Sequence, residues 1–154
     1  MKSKIAYTFY GFGELKNNMD SSNTVSDSRR ILSDKIGIEV MKNNKLFGTG
    51  TGDLQDEMNK IYKERYPLFK EDVYAHIHNQ YLFVLASMGM LAGSLVCIFL
   101  LLPLIYFVSQ KEMLFSILYL LMLLVMLWEP FLENQLGTSI YLIICCLGYT
   151  HQKE

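Results

Sequence analysis

Positive charge all but disappears after residue 78: of the 14 lysines and arginines, only Lys111 and Lys153 lie beyond it. Acidic residues thin out over the same stretch, leaving Glu112, Glu129, Glu133 and Glu154. Cysteine is missing from the polar first half; Cys97, Cys145 and Cys146 all fall inside apolar runs. That excludes a disulfide framework, and with no CxxC spacing the usual paired-thiolate metal and redox motifs are excluded too. The three thiols read as small buried hydrophobes. A basic face is also missing. The net formal charge is −1, which offers nothing to displace counterions from nucleic acid, so no nucleic-acid partner is expected.

Apolar side chains take the place of the missing charge. Hydrophobic residues make up 51% of the chain and charged residues 19%, and the two classes are segregated along it. Residues 81–108 carry no formal charge, a run longer than the roughly 20 residues a helix needs to cross a bilayer. Residues 113–132, interrupted by Glu129, and residues 136–149 form two shorter runs. Tilt or local thinning accommodates short spans, and Trp128, Tyr141 and Tyr149 suit the interfaces. A soluble helical core is the alternative for these last two. The expected fold is an all-α integral membrane protein. Residues 1–78 form an extracytoplasmic loop region with short helices, and residues 79–154 a region of about three transmembrane helices.

Orientation follows from the short connections. "SQKE" holds Lys111, the tail "HQKE" holds Lys153, and the turn "EPFLEN" is acidic. Basic short loops stay cytoplasmic, whereas long polar segments cross regardless of charge. The opening residues "MKSKIAYTFYGFGELKNN" contain neither an apolar signal core nor a small-residue cleavage site. Upstream spans, on this or another chain, are therefore expected to lead the polar region across. The chain then reads as the C-terminal part of something larger.

Within the polar half, "NNMDSSNTVSDS" at 17–28 reads as loop. Leu32, Ile36, Val40 and Met41 recur at helical spacing and predict an amphipathic helix over 29–43. A second helix is expected from Asp53, its cap, to Pro67. Asp56 and Glu57 lie in its first turn and Lys60, Lys63 and Arg65 towards its end, as the helix dipole favours. Its apolar stripe is Leu54, Met58, Ile61 and Tyr62. Between the helices, "LFGTGTGD" places Gly48, Gly50 and Gly52 at alternating positions. Such glycines can let backbone N–H groups cradle a phosphate, or simply make a tight turn. No strand–helix–strand unit surrounds them, so the dinucleotide fingerprint fails.

The polar half ends in "YAHIHNQYL", residues 74–82. Three readings are open. His76 and His78, with Glu71 and Asp72 nearby, are candidate metal ligands, although helical zinc motifs space their histidines four apart. Both histidines are also ordinary polar residues for the wet end of a span. Alternatively, His78 or Asn79 stands at the N-terminus of a long apolar helix, where free N–H groups and the dipole attract an anion. The same field disfavours imidazolium and keeps a histidine available as a base. An arginine fork would complete a phosphate site, the candidates being Arg29, Arg30 and Arg65.

"SDSRRIL" at 26–32, "NNKLFGTGTGD" at 43–53 and "HNQYLFVLASMGMLAG" at 78–93 together resemble the O-antigen ligase and polymerase family of bacterial envelope membrane proteins. The resemblance covers about residues 26–108. It implies a multi-spanning glycosyltransferase of the bacterial inner membrane with a large periplasmic loop, here residues 1–78. Such an enzyme takes a glycan from undecaprenyl diphosphate and joins it to lipid A-core, another glycan or protein, with no metal or other cofactor. On the matching positions, Arg29 would hold the diphosphate and His78 would serve the acceptor hydroxyl. Arg30, Gly48, Gly50, Gly52 and Asn79 would line the substrate. Ser33 stands where many members have tryptophan, and Lys45 replaces the usual proline before L-F-G. A non-catalytic membrane subunit, a transporter fragment or an inactive remnant is the alternative. The absence of ionisable residues within 81–108 argues against a transport path.

Overall fold

The computed structural model describes residues 26–67 and 74–151, and every described element is helical. Glu71, Asp72, Lys153 and the loop expected before residue 26 lie outside that range. Helix α1 is Ser26–Asn43. Residues 26–28, expected as loop, form its first turn. The short polar side chains that favour loops are also those that favour a helix start. Helix α2 is Leu54–Arg65, the segment predicted. Asp53 precedes it, but its carboxylate makes no capping bond; its backbone carbonyl instead accepts the Glu57 N–H at 3.0 Å.

The stripes read from the sequence form the first core. Leu32, Ile36 and Val40 of α1 meet Leu54, Met58 and Tyr62 of α2, closed by Ile77 and Ala86. Each such side chain contributes roughly 1.5–3 kcal/mol when fully buried. Tyr62 stacks on Tyr74 with ring centroids 4.7 Å apart, and burial pushes its phenol up to about 12. Arg65 pairs with Glu39 and so ties the end of α2 to α1.

Helix α3 is Gln80–Phe99, but it is not one rod. Gly89 adopts φ 78° and ψ 173°, which interrupts the helix. Gly93 then lies against the first half: a Cβ there would sit 3.0 Å from Leu85 Cα and 3.0 Å from Val84 O. Residues eight apart on a straight helix are separated by about 12 Å along its axis. Residues 90–99 therefore fold back along residues 80–88, with Gly89 at the bend.

The glycine turn closes that bend. Helix interruption frees carbonyl and amide groups that must find partners. Thr49 N–H donates to Ala86 O at 3.2 Å, Gly50 N–H to Ser87 O at 2.8 Å, and Met90 N–H to Lys45 O at 2.7 Å. Gly48 and Gly89 face each other at backbone contact, with φ of 67° and 78°.

Beyond it come α4 (Leu102–Ser109), α5 (Met113–Val125), a 3-10 turn at Phe131–Glu133 and α6 (Gln135–Thr150). They pack around Leu100, Phe107, Tyr119, Met122, Leu123 and Met126. By length and composition, Gln80–Ser109 is the one stretch among the described residues long and apolar enough to cross a membrane, although the bend at Gly89 keeps it from crossing as one straight helix. The other two expected spans are helices of 13 and 16 residues, short of the roughly 20 that a straight crossing needs. The outer surface of α3 to α6 is nonetheless apolar, with Leu91, Leu95, Ile105, Leu121, Leu142 and Ile143 each at least half exposed.

Candidate functional site

The segment 74–79 is irregular, not helical, and runs from the polar core to the start of α3. Ile77 is its buried anchor at 1% exposure, packed where α1 has only Gly37: a Cβ on Gly37 would meet Ile77 Cδ1 at 2.6 Å. That close approach sets His78 against α1. The His78 backbone N–H donates to Asp34 Oδ1 at 3.1 Å. The ring Nδ1 lies 3.3 Å from Ser33 Oγ, which itself donates to Arg30 O at 2.8 Å. His78 is half-buried, whereas His76 is exposed.

Of the two residues expected at the start of α3, Asn79 is its cap, with Oδ1 accepting the Leu82 N–H at 3.0 Å. The next residue, Gln80, is buried and acts as a clamp. Its N–H donates to Met126 O at 2.9 Å, and its Oε1 accepts the Leu132 N–H at 2.8 Å. The start of α3 and the acidic turn 126–133 therefore lie at one level. Arg30 reaches into the same place, with its guanidinium 2.8 Å from Glu129 Oε1. Both partners are more than a third exposed, so the pair contributes only about 0–1 kcal/mol. Its consequence is positional, joining α1 to the end of the α5 region. Within the turn, burial raises the Glu133 carboxyl above its ordinary value.

Arg29 precedes Ser33 by four residues and so neighbours it on one face of α1. Its Nε is buried with no hydrogen-bond partner among the described residues. Such an orphaned donor costs about 1–3 kcal/mol unless something outside the fold satisfies it.

The sequence candidates thus separate into two places. Arg29, Arg30, His78 and Asn79 come together beside the N-terminus of α3. Gly48, Gly50 and Gly52 do not join them: ten helical residues separate Ser33 from Asn43, about 15 Å along α1, and the turn beyond is bonded to the Gly89 bend. Arg65 is held by Glu39 and is not part of the site. Among the described residues, no group of three or more His, Cys, Asp or Glu is arranged to hold a metal.

Sequence reasoning missed four participants: Ser33, Asp34, Gln80 and Glu129. A signal existed for the first two, since Ser33 and Asp34 follow Arg29 and Arg30 by one helical turn. Gln80 and Glu129 gave none, because their partners lie 46–52 and 99 positions away in the chain.

A half-buried histidine ring, a helix N-terminus and the buried Nε of Arg29 thus lie together where the polar half meets the apolar helices. The O-antigen ligase family model, Wzy_C, matches residues 4–97, more than half of the chain, and the chain belongs to that family. The match takes in both histidines, both arginines and the glycine turn. It ends within the second half of α3, so α4 to α6 lie beyond it. No curated protein and no solved structure matches the chain.

Proposed function

We propose that this chain forms the C-terminal part of a glycosyltransferase. It would move a glycan from undecaprenyl diphosphate to a lipid A-core, glycan or protein acceptor at the outer face of the bacterial inner membrane. The observation that carries this reading is the buried Nε of Arg29, unpartnered among the described residues and one helical turn from the residue that meets the His78 ring. His78 takes the proton of the acceptor hydroxyl as its oxygen bonds to the anomeric carbon. The bond from that carbon to the diphosphate breaks, and the diphosphate leaves with the electron pair. Arg29 and the positive end of the α3 dipole stabilise the charge it gains. The carrier lipid would need enclosing spans in addition to the described helices.

Arg29→Lys tests the diphosphate assignment in the full-length protein. Lysine keeps the charge but loses the planar, bidentate fork. Transfer should fall at least tenfold, about 1.4 kcal/mol of transition-state stabilisation, with protein level unchanged. Arg30→Lys, whose charge only has to reach Glu129, should transfer nearly as well as wild type. Equal activity of the two variants rejects Arg29 as the diphosphate ligand.

Topology gives a second test. The Arg30–Glu129 pair and the Gln80 clamp support a common side for the polar half and the acidic turn, opposite Lys111 in the α4–α5 connection. Alkaline phosphatase fused after Lys70 should be active and after Glu154 inactive, the periplasmic and cytoplasmic patterns respectively. The reverse pattern inverts the orientation and removes the periplasmic assignment of the site.

A further inference from the structure

Ser33 is within hydrogen-bond distance of the His78 ring, and it stands at a position where the chain departs from the pattern it resembles. It is fully buried, with Oγ 2.8 Å from Arg30 O and 3.3 Å from His78 Nδ1. A hydroxyl has one proton to give, and a carbonyl oxygen has none. The shorter contact, to Arg30 O, therefore takes the Ser33 proton. What the hydroxyl turns to His78 is a lone pair, and Nδ1 can bond to it only by carrying a hydrogen. Asp34, the next residue, holds the His78 backbone N–H at 3.1 Å. Two consecutive residues of α1 thus fix the histidine, one through its main chain and one through its ring.

We infer that Ser33 is a positioning residue that holds neutral His78 as the Nδ1–H tautomer, leaving Nε2 as the nitrogen that accepts the acceptor's proton. The inference rests on the reading of His78 as a base and goes beyond it by naming the basic nitrogen and the group that selects it. In a neutral imidazole one nitrogen donates and the other accepts, and the partner of the first decides which is which. Free imidazole side chains favour the Nε2–H form, so the selection has to come from the fold.

Nitrogen-15 labelling of histidine in the full-length protein, in lipid vesicles at a pH where the ring is neutral, reads the tautomer without any assay of transfer. Loss of its signals in His78→Gln assigns the residue. Wild type should show Nδ1 protonated and Nε2 bare. Ser33→Ala, which removes the hydroxyl and fits the same space, should move His78 towards Nε2–H. Its transfer should fall about 10- to 100-fold, by analogy with the loss of a group that orients a metal-bound histidine. The loss should appear in kcat, not in KM for the carrier-linked glycan. Ser33→Thr, which keeps the hydroxyl, should restore much of both the tautomer and the rate. A wild-type ring protonated at Nε2 overturns the inference, as does a Ser33→Ala ring with unchanged tautomer. Undiminished transfer by His78→Ala is a different failure: it removes the base assignment, while the nitrogen shifts still report what Ser33 does to the ring.

Discussion

His78→Ala in the full-length protein should reduce glycan transfer by about 10² to 10⁴, the usual contribution of general acid–base assistance, while His76→Ala should change it little. The two residues differ in what holds them. His78 is fixed by Asp34 through its main chain and by Ser33 at its ring, whereas His76 is exposed on the same segment. Pre-organised groups lose function when removed, and solvated ones seldom do. A metal shared by the two histidines predicts another outcome, with both substitutions severe and chelator inactivating the wild type. If the histidines only wet the end of a span, both substitutions are mild. Transfer normalised to protein level, with and without chelator, separates these outcomes, and severe loss from both variants removes the base assignment.

The legible parts of this fold were those set by local periodicity. The stripe of Leu32, Ile36 and Val40 and that of Leu54, Met58 and Tyr62 gave α1 and α2 and the core between them, because burial follows helical spacing. The start of α3 at His78 or Asn79 was legible from the change of polar to apolar residues, though not which of the two caps it. The interior of the longest apolar run was not. Hydropathy measures transfer from water and is blind to a reversal of direction, so residues 81–108 read as one rod although Gly89 bends them back. Its neighbours Ser87, Met88 and Met90 carry no turn signature, and a lone glycine in a helical pattern usually costs stability without breaking the helix. What makes the bend tenable is a set of bonds to the turn at 45–50, about forty residues away, and no local pattern encodes them. The site divides the same way. Arg29 and His78 were visible as residue types that suit phosphate and proton transfer, but Ser33 drew notice only as a departure. Its role depends on the packing of Gly37 against Ile77, which a sequence does not display.

The glycine turn offers a graded test of its own two readings. A phosphate cradle uses the N–H groups of the whole turn, so alanine at Gly48, Gly50 or Gly52 should impair transfer and leave the fold intact. The geometry orders the positions otherwise. A Cβ on Gly48 would lie 2.3 Å from Ser87 O and 2.4 Å from Gly89 N, and one on Gly89 would lie 2.3 Å from Leu46 O and 2.5 Å from Gly48 N. Every one of those neighbours is backbone and cannot swing aside. Both glycines also have φ in the left-handed region, which costs other residues about 1–3 kcal/mol before any clash. Alanine at either position should therefore separate the turn from the bend and lower the unfolding temperature of the purified protein in detergent markedly. Gly50 shares the left-handed φ, at 89°, but the nearest neighbour of a Cβ there would be Asp53 Oδ2 at 3.9 Å. Gly50→Ala should bear the backbone strain alone and fall between. A Cβ on Gly52 would meet nothing within 4 Å, and its φ is not left-handed, so Gly52→Ala should match wild type in both stability and transfer. A loss of transfer in Gly52→Ala at unchanged unfolding temperature would return the turn to the phosphate. The order Gly48 and Gly89, then Gly50, then Gly52 in stability would leave it as the backbone patch on a bent helix.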